Sequence, residues 1–453
     1  MRIGIIGCGI TGLTAAYVLA KKGHEVELFE AAEAVGGIAG AVQMDGFYLE
    51  KYYHHFFKSD KHIISLLEEL GIGSELSWLE SRMGYFTDNM AYEFGTPLSL
   101  LKFKPLPVMD KFKFGMSVLR LMGIKDWRPL EQVTAKKWLV ENAGEKAFEK
   151  VWKPLLVTKF GEQYDSISMA WFWGKIRLRG SSKENGKEVL GYINGSSSLL
   201  FERLTESLEG SGAKINLNCR VESIKKDGAG FTLLTQQCRG EQCSPSKDSF
   251  ERIIAAVPLP IFGKLAESIL PENYIDKISA AEHTSVVCMV LMLKKSFSRY
   301  YWLNIGDESI PFGGLIEHTN LLDKSSYNNK NVLYISNYLY KDSKLFSMSS
   351  EELLKEYIPH LKKINPEFDE SWVEGVYTFR DEYAQPIIKC GYSKIKPEFE
   401  TPVAGLFIAS MCNIYPEDRG VNYAVRDGKM VAELVGANSV RPITHVNNSD
   451  FVR

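Results

Sequence analysis

The sequence predicts an α/β protein in which a parallel-sheet domain is interrupted by a second domain of mixed α+β structure. A strand at Arg2–Ile6 is followed by a glycine-rich turn, a helix and a second strand that begins at Glu25. A buried strand stops at Pro258, and a further strand and helix occupy residues 405–436. These pieces predict one Rossmann-like unit spread along the chain, with other material inserted between them.

The predicted elements divide the chain into six segments. Residues 1–75, 195–275 and 390–440 belong to the parallel-sheet domain, residues 76–194 and 276–389 are the two insertions, and residues 441–453 form a tail. Within them we expect a helix over Leu13–Lys22, a helical region over Lys136–Val151, a hairpin over Lys214–Thr235, a strand over Ser285–Leu293 and a helix over Gly420–Gly436.

Composition excludes several classes of protein. With 453 residues, 45% hydrophobic and 24% charged, the chain is typical of globular proteins. Its 54 basic and 56 acidic residues give a net charge of −2, which provides no field for nucleic acid. Seven cysteines without a CxxC pair or zinc-type spacing indicate a cytoplasmic setting and no metal site. No window of 18 apolar residues predicts a membrane span.

The first glycine motif has the spacing that binds a dinucleotide. Gly7 allows the tight turn, Gly9 lets the backbone approach a pyrophosphate, and Gly12 lets helix and strand pack closely. Glu30 ends the second strand, where a carboxylate accepts hydrogen bonds from ribose hydroxyls. Because a strand precedes the motif and a helix follows it, the pattern predicts a nucleotide cofactor.

A second glycine cluster and a C-terminal signature extend the pattern. Gly36-Gly37 follows shortly after Glu30, and residues 401–409 and 420–428 contribute a strand and a helix start. With these motifs the sequence resembles the FAD-containing amine oxidase superfamily, which includes protoporphyrinogen oxidase, phytoene desaturase and monoamine oxidase. The resemblance implies a Rossmann-like FAD-binding domain of the GR2 flavoprotein type, with an inserted α+β substrate or cap domain and a small-molecule substrate.

The resemblance also implies which residues contact the cofactor. Ser410-Met411 stands where the family usually has an acidic residue, so the ribityl contact departs from the family pattern, and Cys390 is expected to be an ordinary thiol beside non-covalent FAD. The implied FAD contacts are Gly7, Gly9, Ile10, Thr11, Gly12, Glu30, Gly36, Gly37, Ile38, Ala39, Val221, Ala256, Ala409, Ser410, Gly420, Val421, Asn422 and Ala424.

The expected reaction is a hydride transfer from an organic substrate to flavin N5. Amine oxidases place a lysine against N5, but Val287 is expected at the matching position, and Gly420 replaces an aromatic residue. The resemblance therefore favours an FAD-dependent oxidoreductase like protoporphyrinogen oxidase or a desaturase, rather than a true amine oxidase.

Two histidines lie in the unusual aromatic stretch Lys51–Phe57, which resembles a segment of UDP-galactopyranose mutase. We expect His54 at the flavin, where it tunes N5 or N1 or transfers a proton, and His55 on the opposite side of the strand. The alternatives are that both histidines only pack the cap domain, and that the protein is a mutase-like flavin isomerase acting on a nucleotide sugar or glycan precursor.

Two charged regions have open interpretations. Arg419, just before the C-terminal helix, is a candidate catalytic residue that clamps a substrate phosphate or carboxylate; alternatively it pairs with Asp418 or Glu417 in a solvated loop. Residues 101–122 alternate basic and apolar side chains, a pattern typical of peripheral membrane contact, or of a cap helix with one solvated face. The sequence predicts no particular oligomeric state.

Overall fold

The computed structural model describes residues 1–180, 182–184, 186–239 and 242–437, and the predicted tail over 441–453 lies outside them. The strands of the described part, labelled β1 to β20 in chain order, are Arg2–Ile6, Glu25–Phe29, Ala41–Gln43, Tyr48–Glu50, Leu76–Glu80, Met83–Thr87, Met90–Glu93, Lys183–Glu184, Lys187–Ile193, Lys214–Asn216, Cys219–Asp227, Gly230–Arg239, Gln242–Phe250, Arg252–Ala255, His283–Leu293, Trp302–Ile305, Gly314–Glu317, Asn331–Leu339, Val373–Pro386 and Leu406–Ile408. The α-helices, labelled α1 to α14, are Ile10–Lys21, Lys61–Glu69, Pro97–Lys102, Val108–Gly123, Ala135–Ala143, Glu145–Ala147, Lys153–Phe160, Met169–Gly180, Ser198–Gly210, Leu259–Leu265, Glu272–Ser279, Lys344–Ser347, Ser350–Ile364 and Val421–Ala437.

The predicted parallel sheet is present. Its strand order is β10-β2-β1-β14-β20, and every neighbouring pair is parallel. The strands come from three separate stretches of the chain, as expected for an interrupted Rossmann-like unit. Helix α1 begins at Ile10, three residues before the predicted start, because the Gly9 carbonyl already accepts the Leu13 amide at 3.0 Å.

Helices α1 and α14 pack on this sheet and on each other through glycines. A Cβ at Gly12 would lie 2.0 Å from the Gly7 carbonyl oxygen, so only glycine lets α1 approach β1 this closely. A Cβ at Gly428 would lie 2.6 Å from the Thr11 carbonyl oxygen. The two glycines therefore bring the N-terminal turns of α1 and α14 toward the same edge of the sheet.

The insertions share one mixed sheet with the strand order β19-β15-β18-β17-β16-β6-β7. Strands β6 and β7 come from the first insertion, and the other five come from the second. The join between them is the parallel pairing of β6 with β16, in which Met83 lies opposite Trp302. Both insertions thus contribute to a single sheet beside the parallel domain.

A helical layer built from α3 to α8 packs around buried aromatic side chains that include Phe148, Phe160 and Trp171. The basic, apolar stretch over 101–122 forms two helices rather than one, because Pro105 and Pro107 separate α3 from α4. Among the described helices, none is both long enough and apolar enough to cross a bilayer.

Candidate functional site

The carboxyl ends of β1, β2, β14 and β20 face a cavity of about 1330 Å³, at the edge where open α/β sheets bind ligands. Gly12 does not line this cavity, since its role is the close packing of α1 described above. Every other predicted site residue lines it: Gly7, Gly9, Ile10, Thr11, Glu30, Gly36, Gly37, Ile38, Ala39, His54, Val221, Ala256, Ala409, Ser410, Arg419, Gly420, Val421, Asn422 and Ala424.

The two glycine clusters meet at the start of α1. Gly7 has a φ of +98°, and a Cβ there would lie 2.7 Å from the Ala256 carbonyl oxygen. Gly9 forms a parallel bridge with Gly36, and the Gly36 amide donates to the Cys8 carbonyl at 2.8 Å. A Cβ on Gly9 would meet no atom within 4 Å, so its backbone faces open space. The turn therefore presents bare backbone to the cavity.

Glu30 is fixed by the chain around it. Its carboxylate accepts the Cys8 amide at 2.8 Å and the Ala32 amide at 2.9 Å. A carboxylate has about four lone-pair positions, so these two bonds orient the group and leave acceptors for ribose hydroxyls. The predicted ribose contact fits this geometry.

Two polar residues at the C-terminal side are already engaged within the protein. The Asn422 amide oxygen accepts from the His62 and Ile63 amides at 2.9 and 3.2 Å, at the N-terminus of α2. Ser410 Oγ accepts the Cys412 amide at 3.3 Å in a short turn. Both residues line the cavity, but these oxygens have structural partners.

The residues present fit an FAD molecule. The first turns of α1 and α14 have amide groups without helical partners, which suits a diphosphate. Gly420, like Gly9, would place a Cβ in open space. A single ligand site typically has roughly 300–1000 Å³, so a cavity of about 1330 Å³ has room for substrate beside the cofactor. Cys390 does not line the cavity, in agreement with non-covalent binding.

His54 and His55 both line this cavity, so the expectation that His55 faces away from the site is wrong. His54 Nδ1 is buried with no hydrogen-bond partner among the described residues. His55 Nδ1 lies 3.3 Å from the Tyr301 hydroxyl, and its ring contacts Trp302 edge-on. Burial, with the charge of Arg419, lowers the pKa of His54 to about 4. Burial, with the charge of Arg179, lowers that of His55 to about 3.

Both imidazoles are therefore neutral at pH 7. The low-dielectric surroundings disfavour the charged form of His54, so its pKa lies below the 6.5 of a free imidazole, and its role at the flavin stays a prediction. A neutral imidazole still offers one donor and one acceptor to a bound molecule.

Asp418 is the centre of a buried charge cluster. Its Oδ2 lies 2.8 Å from Lys159 Nζ and 3.2 Å from Lys175 Nζ, and its Oδ1 accepts the Trp171 indole N–H at 3.0 Å. Burial alone would raise the pKa of Asp418, but the two lysines and Arg419 hold it well below its usual range. Burial, with the charge of Lys159, lowers the pKa of Lys175 to about 7.

Arg419 does not belong to a solvated loop. Its Nε donates to the Gln385 side-chain oxygen at 3.0 Å, and its NH2 donates to the Tyr338 hydroxyl at 2.6 Å. Within the described part of the chain, no carboxylate lies within 4 Å of its guanidinium nitrogens. We call the four cationic side chains that line this side of the cavity the cationic wall: Lys159, Lys175, Arg179 and Arg419.

The structure of β15 corrects the predicted position of one residue. Val287 packs into the core on the far side of the sheet, whereas Val286 and His283 line the cavity. Val287 was expected at the position of the flavin-facing lysine of amine oxidases, but the residue that faces the cavity is its neighbour Val286. A shift of one residue in a strand moves a side chain to the opposite face of the sheet. Strand β15 contains no lysine at either position.

The cavity has an apolar part beside the cationic wall, which we call the apolar channel. It runs between α4 and α8, and Phe114, Val118 and Ile176 line it. Leu119 and Met122 also line it, although they are 63% and 45% exposed. The cavity therefore extends to side chains that are exposed on α4.

The sequence did not identify Lys159 and Asp418 as a pair. On α7, Lys159 lies about one turn after the buried Leu156 and next to the buried Phe160. A cationic side chain is thus placed among buried apolar ones. That position is a signal of a paired or functional charge. In the described residues, no group of three or more His, Cys, Asp or Glu side chains is arranged to hold a metal.

The profile of the flavin containing amine oxidoreductase family matches residues 10–436. Zeta-carotene desaturase of Synechocystis is 26% identical over 299 residues, which are 60% of this chain and 60% of that enzyme. The 15-cis-phytoene desaturase of Solanum lycopersicum is 24% identical over 295 residues, which are 60% of this chain and 48% of that enzyme. The matched region thus spans between 48% and 60% of the length of these relatives.

Solved structures share the fold along nearly the whole chain. A protein from Exiguobacterium sp. assigned as a protoporphyrinogen oxidase superposes with a TM-score of 0.75 at 19% identity, covering 96% of this chain and 98% of its own. Putrescine oxidase bound to putrescine superposes with a TM-score of 0.73 at 19% identity, covering 96% and 99%. At such identities the likeness concerns the fold.

Proposed function

Because the chain belongs to the flavin containing amine oxidoreductase family, we propose that it is an FAD-dependent oxidoreductase that dehydrogenates a lipophilic substrate, as a desaturase does. The observation that carries this proposal is the single cavity that joins both glycine clusters to an apolar channel under α4. The sequence similarity to carotenoid desaturases supports it. Activity and substrate remain proposals, since the similarity spans only part of those enzymes.

In this proposal the glycine turn, the start of α14 and Glu30 hold the FAD. Bound flavin supplies the chemistry by accepting a hydride from a carbon of the substrate. The chain supplies position and a dry site: the aromatic side chains of Tyr53, Trp171 and Tyr338 line the space next to the cofactor region. His54 is proposed to act as a neutral hydrogen-bonding group toward the bound ligand, through the part of its imidazole that lines the cavity.

The charges of the site disfavour an amine as substrate. The cationic wall would repel an ammonium group, and Asp418 is already paired with two lysines. Strand β15 provides no lysine where amine oxidases have one. The relatives described above are desaturases and oxidases, and none of them is a sugar mutase.

We further propose that the substrate enters from a lipid surface at α3 and α4. Lysines border the exposed apolar side chains of this face, namely Lys102, Lys104, Lys111 and Lys113, and they suit anionic headgroups. The exposed apolar side chains are Leu98, Leu101, Val108, Met109, Phe112, Met116, Leu119 and Met122, whose exposures range from 45% to 80%. Because the channel extends to exposed side chains of this face, a lipophilic molecule would pass from bilayer to cavity without crossing water.

The proposal is tested with the purified protein. Acid precipitation should release about one FAD per chain. Anaerobic mixing with a panel of lipophilic compounds in vesicles, with and without an acidic group and including 15-cis-phytoene and zeta-carotene, should bleach the oxidised flavin band for at least one of them, and putrescine should not. A mutase would instead require prior reduction and leave the band unchanged during turnover. Bleaching by putrescine with none by the lipophilic compounds, or a protein without flavin, would contradict the proposal.

Vesicle binding tests the entry surface. Replacing Leu101 and Phe112 together by glutamate should greatly reduce sedimentation with vesicles containing phosphatidylserine, while FAD content is retained. Replacing Arg203 by glutamine on the exposed side of α9 is the matched control and should not change it. Undiminished sedimentation of the double variant would remove this face from the proposal.

A further inference from the structure

The cationic wall has more positive charge than its neighbours balance. Lys159 and Lys175 share the single carboxylate of Asp418, at 2.8 and 3.2 Å. The Arg179 guanidinium lies over the Trp302 ring, 5.5 Å from its centroid, and donates to the Met83 sulfur at 3.3 Å. Neither Arg179 nor Arg419 has a carboxylate within 4 Å among the described residues. Even with the pKa of Lys175 lowered to about 7, Lys159 and the two arginines outnumber the one aspartate that is paired within the wall.

One further carboxylate lies near the wall. Asp381, on β19, lies close enough to Arg419 to influence it but forms no ion pair with it within 4 Å, and its Oδ1 accepts the Tyr383 amide at 2.8 Å. Burial raises the pKa of Asp381, and the charge of Arg419 opposes that shift. Partly buried cations without a paired anion are costly, so a site of this kind favours an anionic ligand.

The two arginines of the cationic wall also have N–H donors that are available to a ligand. A guanidinium has five N–H donors, and the hydrogen bonds of Arg419 to Gln385 and Tyr338 use two of them. A thioether is a weak acceptor, so the bond of Arg179 to Met83 leaves its guanidinium available for a stronger one. Arginine donors in such a fork match the two oxygens of a carboxylate or phosphate.

We infer that the cationic wall binds the acidic group, a carboxylate or a phosphate ester, of a substrate whose remainder is an apolar chain lying in the channel between α4 and α8. The inference rests on the proposed function for its view of the cavity as a substrate site, and it adds the substrate's chemical class. The apolar channel begins beside these cations, since Ile176 follows Lys175 on α8 and Met122 lies against Gly180, the residue after Arg179. An uncharged hydrocarbon would leave the wall unpaired.

Binding, measured without turnover, tests this inference. The holoenzyme is titrated with decanoate, decyl phosphate and decanol, and tryptophan fluorescence reports occupancy, because Trp171 and Trp302 lie in the site. The acidic probes should bind at least about tenfold more tightly than decanol, because charged hydrogen bonds are the strong ones. The ratio between decanoate and decyl phosphate shows which acidic group the wall prefers.

Variants separate the wall from general lipid binding. Arg179→Gln and Arg419→Gln should each weaken the acidic probes by about tenfold or more and leave decanol unchanged. Arg203→Gln, on the exposed face of α9, is the matched control and should change neither. FAD content and thermal midpoint establish that each variant is folded. Arg179 forms no ion pair with another described residue, so Arg179→Gln removes none.

The inference is overturned if decanol binds as tightly as the acidic probes, or if both arginine variants retain acidic-probe affinity. Its failure is distinct from that of the proposed function. Flavin bleaching by lipophilic compounds without preference for an acidic group would overturn the inference alone. If the protein binds acidic probes selectively but no lipophilic compound reduces its flavin, the inference about the cationic wall stands and the proposed reaction is contradicted.

Discussion

Replacing Asp418 by asparagine should destabilise the protein by about 3–4.5 kcal/mol at pH 7. Asparagine keeps the shape and the oxygen that accepts the Trp171 indole, but it removes the charge shared by Lys159 and Lys175. Removing one partner of a buried ion pair costs about 3–5 kcal/mol. The side chains of Asp418 and Lys159 are 11% and 14% exposed, so this range applies to their pair. Lys175 is 35% exposed, and its share is nearer the ~0–1 kcal/mol of a surface pair.

Deprotonation of the unpaired lysine limits how much stability the Asp418→Asn variant can lose, and it makes that loss depend on pH. A buried lysine without its partner can lose its proton, which costs about 1.4 kcal/mol for each pH unit below the unfolded pKa of about 10.4. The ceiling for one lysine is therefore about 4.6 kcal/mol at pH 7 and about 1.9 kcal/mol at pH 9. At acid pH the loss has another origin: the lowered pKa of Asp418 stabilises the native protein above about pH 3.9, and this contribution declines as pH falls further.

Urea unfolding with saturating FAD, at pH 7 and pH 9, measures the difference in free energy of unfolding between variant and parent. The control is Glu206→Gln, which removes an exposed ion pair with Arg203 and should cost less than about 1 kcal/mol. A loss below about 1 kcal/mol for Asp418→Asn at pH 7, or an equal loss at pH 9, would refute the reasoning.

Three further outcomes are expected. Gly9→Ala should weaken FAD binding in equilibrium dialysis with little change in the stability of the apoprotein. Gly12→Ala should instead lower the thermal midpoint of the apoprotein, because its Cβ would lie 2.0 Å from a carbonyl oxygen. Glu30→Ala should weaken FAD binding by about 1.5–3 kcal/mol, and an unchanged dissociation constant would contradict the ribose contact. His54→Ala should slow flavin reduction by about tenfold or more at unchanged FAD content. In the parent the stopped-flow reduction rate should show no step near pH 6.5 from this residue, because its pKa is lowered to about 4.

The cofactor end of the site could be predicted from the sequence because its determinants are local. The turn from Gly7 to Gly12 combines a strand, a helix start and a required left-handed φ within a few residues. Glu30 ends a strand that pairs directly with β1. Such patterns fix which backbone groups face the carboxyl edge of the sheet, and that edge is where the cavity opens.

The substrate end depends on contacts that are distant in sequence. Lys159 and Asp418 are separated by 259 positions, and no spacing rule joins them. Val287 was aligned one position from the residue that faces the cavity, since a strand of continuous apolar residues gives no indication of which face is which. The neutral state of His54 follows from its burial and from Arg419, neither of which is visible in its own segment.

The pairing order of the parallel sheet has a consequence for the nascent chain. Strand β1 leaves the ribosome first, but its neighbour β14 begins at Arg252, and β20 pairs with β14 only at Leu406. At ~5–20 residues per second, β1 waits on the order of tens of seconds for β14. During synthesis one edge of β1 stays unpaired, as does β6 until Trp302 is made. Because residues at the start of α14 line the cofactor cavity, we expect FAD to be captured only after α14 has been synthesised.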